Sequence, residues 1–138
     1  MKKFFLIWIA LLGIAALTFG QTQRTLVKTL PIEQTIHKTI FALRGNVEVE
    51  EWNNQTVRII TTITTEHTAE NVLKALIIAG RYNYELIVDD ANQTITVDMP
   101  KKDNAVMING INLDDKLEYK IYIPKGMNYQ VGLDYMLM

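Results

Sequence analysis

The side chains that could do chemistry in this 138-residue chain leave few options for a reaction. The sequence contains no cysteine and no serine. It therefore offers no thiol nucleophile, no thiolate metal ligand and no serine nucleophile of the hydrolase type. Threonine is the only aliphatic hydroxyl, and no threonine lies in a motif that would pair it with a base. The glycine-rich signatures of phosphate-binding loops are also absent from the sequence.

Three pairs of adjacent acidic residues are the remaining candidates: Glu50-Glu51, Asp89-Asp90 and Asp114-Asp115. A glycosidase needs two carboxylates that face each other across a sugar, and a calcium site needs several converging oxygens. The segment Asp89-Asp90-Ala91-Asn92 comes nearest to a calcium loop, but it lacks the glycine and the final glutamate of an EF-hand. Acidic residues are also common at strand ends, where they discourage edge pairing. We favour that interpretation and predict no catalytic, cofactor-binding or metal-ligating residues.

The two histidines and the tyrosines are interpreted as structural or surface residues. His37 and His67 show none of the spacings of helical metal sites, so we interpret both as surface residues. Tyrosines could form a platform for carbohydrate, but strand alternation predicts that most of them pack in the core. The tyrosines predicted to face the core are Tyr82, Tyr84 and Tyr119. Tyr122 is expected on the opposite face from Tyr119.

The N-terminus has the three-part layout of a secretion signal. Lys2 and Lys3 are basic, residues 4–17 carry no charge, and small residues at Thr18 and Gly20 precede a predicted cut before Gln21. The apolar run is shorter than the roughly 20 residues that a spanning helix needs. We therefore predict a cleaved signal peptide over residues 1–20 and export to the periplasm, the cell surface or the medium. A retained signal that anchors the chain in the membrane is the alternative.

Composition excludes a typical nucleic-acid-binding protein. The whole chain has 14 basic and 15 acidic residues, and removal of Lys2 and Lys3 leaves 12 − 15 = −3. A mildly acidic domain without a basic stripe has no electrostatic means of attracting a phosphate backbone. With no disulfides, the mature domain must be stabilised by a hydrophobic core. We divide the chain into a signal peptide (1–20), a polar leader with room for a short strand (21–35) and one domain (36–138).

Alternation of apolar and polar residues predicts a mainly β domain. The pattern predicts strand, turn and strand over residues 46–65, and again from Tyr82 to Pro100 with a turn at 89–93. Asn109-Gly110 predicts a tight turn, and alternation resumes from Leu117 up to Pro124. A last strand is expected from Tyr129 onward. Its end, residues 129–138, carries few devices that protect an edge, so it is a candidate for self-association.

One segment has helical spacing instead. Val72, Leu73, Leu76 and Ile77 recur on one helical face, and Gly80 is a natural stop. Thr68 is the expected cap. The sequence predicts a helix over about residues 69–79 that packs its apolar face on a sheet.

Two polar turns look alike. Residues 49–59 resemble residues 88–97, and each segment contains Asn-Gln-Thr. Either the two segments are copies of one structural repeat, or two hairpins with polar turns resemble each other by chance.

The run Arg44-Gly-Asn-Val-Glu-Val-Glu-Glu-Trp52, followed by Thr56-Val-Arg-Ile59, resembles adhesin-like domains of bacterial envelope proteins. These are the auto-transporter adhesin group of the head GIN type and relatives of unknown function. Leu117-Glu-Tyr-Lys-Ile-Tyr-Ile-Pro-Lys-Gly126 resembles a strand and turn of the same families. The resemblance implies a β-rich exported domain and supplies no catalytic residues. Those families usually continue through more strands, so the resemblance also implies either a truncated relative or an incomplete reading frame.

Together these observations predict a mainly β fold, with antiparallel hairpins in a sandwich-like or solenoid-like stack and one packed helix. The predicted function is a non-catalytic envelope or cell-surface domain with a structural or adhesive role. An envelope protein or a glycan is the expected partner, and no cofactor and no nucleic acid are expected. Two alternatives stay open: an envelope carbohydrate-active enzyme that uses paired carboxylates, and a calcium-stabilised surface module.

Overall fold

The structure is a computed structural model that describes residues 21–33 and 35–132. The predicted signal peptide lies outside the described residues, as do residues 133–138 of the predicted C-terminal edge. In the described ranges no helix is long and apolar enough to cross a membrane.

The described residues form ten strands, one α-helix and one 3-10 turn. The strands are β1 (Gln21–Pro31), β2 (Lys38–Ala42), β3 (Asn46–Trp52), β4 (Thr56–Glu66), β5 (Glu85–Asp89), β6 (Thr94–Asp98), β7 (Met107–Ile108), β8 (Ile111–Asn112), β9 (Asp115–Pro124) and β10 (Asn128–Val131). The helix α1 spans Glu70–Ile78, and the 3-10 turn spans Pro100–Asp103. The prediction of a mainly β fold with one helix is confirmed.

Two mixed four-stranded sheets contain eight of these strands. Sheet A has the order β1-β4-β9-β3, in which β3 is parallel to β9 and the other two pairs are antiparallel. Sheet B has the order β10-β2-β6-β5, in which only β5 and β6 are antiparallel. Strands β7 and β8 form a separate small hairpin. Of the seven strand pairs in the described residues, three are parallel, and β1–β4 and β4–β9 join strands that are not consecutive in the chain. The expectation of antiparallel hairpins was therefore wrong for these five pairs and is confirmed for β5–β6 and β7–β8.

Both sheets contribute to one hydrophobic core. Sheet A provides alternate residues of β4 and β9, such as Ile59, Ile63 and Ile121, each with no exposed surface. Sheet B provides Phe41 and Val97, which are equally buried. The geometry of a strand puts every second side chain on one face, and in β4 and β9 it is every second residue that is buried.

Helix α1 packs on this core through Leu73, which is fully buried. Leu76 and Ile77 pack at its margin, whereas Ile78 is 77% exposed. The predicted stop is confirmed, since Gly80 has a φ of 91° and the amides of Gly80 and Arg81 donate to the carbonyls of Ile77 and Leu76. The predicted cap was wrong, because the helix begins after Ala69 without a side-chain cap and the Thr68 hydroxyl donates to the Glu66 carbonyl.

Gly45 lies where the chain passes from sheet B to sheet A. Its φ is 138°, and a Cβ atom there would lie 2.5 Å from the carbonyl oxygen of Leu117. Only glycine fits such a close approach of one backbone to another. The crossing therefore places β3 directly beside β9.

Two expectations about strand organisation need correction. Residues 46–65 contain the predicted strands and turn, but β3 and β4 do not pair, because β9 lies between them. The predicted leader, residues 21–35, contains β1, whose eleven residues all pair with β4. By contrast, the predicted hairpins around residues 89–93 and 109–110 are confirmed. The two Asn-Gln-Thr segments thus join strands in different ways, which disfavours a structural repeat.

Candidate binding face

The outer face of sheet A carries aromatic and charged side chains that lie close together. Every second residue of β9 is buried, so Glu118, Lys120 and Tyr122 point away from the core. In the register, Tyr122 lies between Arg58 of β4 and Glu50 of β3. This face is built from three strands, one of which is distant in sequence from the other two.

A charged aromatic strip runs across this face. We define it as Trp52, Arg58, Lys120 and Tyr122 with Glu48 and Glu50. The rings of Trp52 and Tyr122 are stacked, with centroids 5.3 Å apart and planes at 30°. The Arg58 guanidinium lies 5.0 Å from the Trp52 ring centroid, and the Lys120 ammonium lies 5.6 Å from that of Tyr122. Cations at such distances are attracted by the ring quadrupole.

Lys120 joins the aromatic pair to two carboxylates. Its Nζ lies 3.0 Å from Oε1 of Glu48 and 3.0 Å from Oε2 of Glu50. Hydrogen bonds to Glu48 and Glu50 raise the pKa of Lys120. Both glutamate side chains remain mostly exposed to solvent. The Trp52 indole is oriented by donation from Nε1 to the Thr56 carbonyl, at 2.8 Å.

An open groove of about 370 Å³ lies beside the strip and shares Glu48 and Lys120 with it. Its lining also includes Asn46, Thr62 and Glu118, with Ile60 as an apolar contribution. Amide, hydroxyl, carboxylate and ammonium groups are therefore available around one shallow concavity. The volume falls in the range of small-molecule sites, which combine apolar surface with a few polar groups.

A second cluster is a buried ionic latch, which consists of Arg81, Tyr82, Lys102 and Asp115. Arg81 Nε donates to Asp115 Oδ2 at 3.0 Å and Nη2 donates to Oδ1 at 3.3 Å. The Tyr82 hydroxyl donates to Oδ2 at 2.7 Å, and the Lys102 ammonium lies 3.9 Å from Oδ1. Arg81 Nη1 also donates to the carbonyls of Lys101 and Asn104. The latch thus connects the exit of α1, the 3-10 turn and the start of β9.

The electrostatics of the latch fit a structural role. Burial acts to raise the pKa of the Asp115 carboxyl, but hydrogen bonds from Arg81 and Tyr82 outweigh it and hold that pKa below its usual range. Burial, together with the hydrogen bond to Asp115, raises the pKa of the Tyr82 hydroxyl. Every buried side-chain nitrogen or oxygen in the described residues has a partner. The groups of the latch bond to one another and so hold the exit of α1, the 3-10 turn and the start of β9 together.

In none of the three acidic pairs do the two carboxylates face each other as a glycosidase would require. Glu50 contacts Lys120 on the outer face of sheet A, and alternation turns Glu51 to the other side of β3. Asp89 accepts bonds from the backbone and side chain of Asn92 in the β5–β6 turn, and these bonds lower its pKa. Asp115 is buried in the latch, whereas Asp114 is exposed.

The histidines lie on different parts of the fold. His37 precedes β2 and is exposed, and its amide donates to the Gln93 carbonyl at 2.8 Å. His67 follows β4 with a φ of 59° and lines a 160 Å³ groove beside the β7–β8 hairpin. Across residues 21–33 and 35–132, no group of three acidic, histidine or cysteine residues is placed to hold a metal ion.

The tyrosine predictions are confirmed for the core. Tyr82 and Tyr119 are each 3% exposed, and Tyr84 is largely buried and bonds to the Thr61 hydroxyl. Burial raises the pKa of Tyr84 to about 12. Tyr122 lies on the outer face, as alternation predicts. Trp52, Arg58 and Lys120 were missed as candidate ligand contacts, since only the pairing of β3 with β9 brings Trp52 beside Tyr122.

Comparison of the chain with known protein families, curated proteins and solved structures gave no match. The resemblance to adhesin-like envelope domains therefore stays a prediction.

Proposed function

We propose that this chain is an exported, non-catalytic binding domain of the cell envelope, and that it binds a glycan on the outer face of sheet A. The observation that carries the proposal is the stacked, outward-facing Trp52–Tyr122 pair, which lies next to a groove lined by amide, hydroxyl and carboxylate groups. The predicted secretion signal supports a location among envelope glycans. The adhesin-like resemblance of residues 44–59 points to the same class of function.

The proposal treats the domain as a sandwich in which sheets A and B enclose the core. Residues of both sheets belong to one buried cluster, which supports this arrangement. In a sandwich the inner faces are occupied by packing, so the outer faces are the ones available for ligands. Sheet A offers the broader outer surface, because its strands β4 and β9 have eleven and ten residues.

Sugars suit this surface chemically. A pyranose ring has apolar C–H faces and a rim of hydroxyl groups. The C–H faces would pack against the ring surface of Trp52 and Tyr122 that Arg58, Lys120 and the stacking contact leave uncovered. The hydroxyl groups would bond to Glu48, Asn46 and Glu118, whose oxygens and nitrogen can accept and donate.

A binding role suits the carboxylates of this face better than hydrolysis does. Retaining and inverting glycosidases need two carboxylates about 5 to 9.5 Å apart, which face each other across the scissile bond. Glu48 and Glu50 both bond to the same ammonium group, so the Lys120 side chain lies where a glycosidase would hold that bond. We therefore keep the expectation that the chain is not an enzyme as part of the proposal.

Co-sedimentation of the purified mature domain with isolated peptidoglycan, and titration with soluble envelope polysaccharides, test this proposal. Tyr122→Thr puts a β-branched residue on the strand and removes the ring. We expect it to weaken glycan binding roughly tenfold, the equivalent of about 1.4 kcal/mol for a truncated aromatic contact.

Tyr129→Thr is the matched control, because Tyr129 is a 45% exposed tyrosine on the edge strand of sheet B. It should bind glycan as the parent chain does. Equal loss of binding in both variants, or no binding of the parent chain to any envelope glycan, would refute the proposed site.

A further inference from the structure

Strand β5 is an exposed edge with apolar residues on both faces. All five residues are exposed, and Leu86, Ile87 and Val88 are 38%, 49% and 53% exposed. Among the described residues, its one pairing partner is β6. Its sequence is Glu-Leu-Ile-Val-Asp, so an acidic residue stands at each end of an apolar centre. Exposed apolar edges of this kind are templates for pairing with another strand.

Strand β1 is the corresponding edge of sheet A. In the part of the chain that the structure describes it pairs with β4 alone, and its Val27 is 61% exposed. Its segment 24–28 reads Arg-Thr-Leu-Val-Lys, so a basic residue stands at each end of an apolar centre. Within the described ranges, neither this segment nor β5 takes part in backbone hydrogen bonds outside its own sheet.

The charges of the two edges are complementary to each other, whereas two copies of the same edge repel each other. If residues 24–28 of β1 are aligned antiparallel to residues 85–89 of β5, Arg24 lies opposite Asp89, Leu26 opposite Ile87 and Lys28 opposite Glu85. On the opposite face of the same ladder, Val27 lies beside Leu86. Opposite charges across a ladder stabilise pairing, and like charges directly opposite destabilise it. Two antiparallel copies of β5 would oppose Glu85 to Asp89, and two copies of β1 would oppose Arg24 to Lys28.

We propose that β1 of one copy of this chain pairs antiparallel with β5 of a second copy. The contact is head-to-tail, because the two edges differ, and a pair of copies keeps one free edge of each kind. Such heterologous contacts form rings when the rotation closes and open filaments when it does not. The outer face of sheet A is separate from both backbone edges, so this assembly would present the candidate glycan face repeatedly. The inference itself does not depend on glycan binding.

This contact is distinct from the predicted self-association of residues 129–138. Strand β10 is also an edge, parallel to β2, and its continuation lies outside the described residues. Changing the charges of β1 and β5 distinguishes the β1–β5 contact from self-association through residues 129–138. Arg24 also contacts Glu70 of α1, whereas Lys28 and Glu85 are both exposed and neither forms a salt bridge within the described chain. Lys28 and Glu85 are therefore the positions to change.

The experiment is sedimentation velocity of the mature full chain over a concentration series. The parent chain should form species larger than a dimer as its concentration rises. Lys28→Glu and Glu85→Lys should each shift the chain to monomer, because each places like charges opposite one another. Lys125→Glu, an exposed charge in the turn before β10, should leave assembly unchanged.

An equimolar mixture of Lys28→Glu and Glu85→Lys should assemble, since each variant then offers the charge that the other needs. The chain carrying both substitutions should assemble by itself. A parent chain that is monomeric at all concentrations would overturn the proposal. Single variants that assemble like the parent chain, or a mixture that stays monomeric although both variants are folded by circular dichroism, would overturn it as well.

Discussion

At the scale of single residues, Asp115 carries the strongest prediction. Its carboxylate is buried against Arg81, and its pKa is held below the ordinary value of about 3.9. The charged form is therefore the one that the fold stabilises. This contribution to stability is complete above the ordinary pKa and is lost as the pH falls through the lower pKa of the folded state.

Asp115→Asn should lower the free energy of unfolding by about 3–5 kcal/mol at pH 7, because it leaves the buried Arg81 guanidinium without a counter-charge. Urea denaturation at pH 7 and at pH 3 measures this. The parent chain should lose stability between the two pH values, and the variant should lose less. Asp114→Asn, at the exposed neighbour, should behave like the parent chain. A variant as stable as the parent at neutral pH would contradict the role of the latch.

At the scale of elements, Leu73 is the residue of helix α1 that is fully buried. It lies in the core, whereas its neighbour Lys74 is exposed. Leu73→Ala should cost about 2–5 kcal/mol through lost burial and the cavity left behind. Lys74→Ala should change stability by less than about 0.5 kcal/mol. Chemical denaturation of both variants tests the assignment of the buried face, and similar losses in the two would show that the face is wrong.

The elements also show how far local patterns reach. Alternation and turn residues predicted the β5–β6 hairpin, and helical spacing with Gly80 predicted α1 to within about a residue at each end. These features depend on neighbours in sequence. Alternation did not identify where β5 begins, because Tyr82 and Tyr84 continue the alternating pattern but lie in the segment between α1 and β5. Their hydroxyl groups bond to Asp115 and Thr61.

At the scale of the whole molecule, export is the prediction that decides where the domain works. If residues 1–20 are a cleaved signal, mass spectrometry of the protein expressed in a bacterial host should find Gln21, free or cyclised, at the N-terminus. Leu11→Arg is the control, since a charge in the apolar segment should block export and signal cleavage. The uncleaved chain, with Met1 at its N-terminus, should then stay in the cytoplasm. An intact Met1 on a cytoplasmic product of the unaltered sequence would contradict export.

The sequence by itself determined which side chains are available for chemistry, the β-rich class, the helix and the local hairpins of this protein. Each depends on residues that are close together in the chain, where the periods of 2 and 3.6 reveal the buried face. The absence of cysteine and serine from the sequence likewise excluded thiol and serine nucleophiles and thiolate metal ligands.

The tertiary structure alone decided that β9 enters sheet A between β3 and β4, and that β1 joins the same sheet as an edge. Alternation tells which face of a strand is buried, but it does not tell which strand lies beside it. Every residue other than proline offers the same backbone donor and acceptor, so the backbone does not select a partner strand. For that reason the Trp52–Tyr122 pair, the Arg81–Asp115 bridge and the complementary edges β1 and β5 became visible only once distant segments were placed side by side.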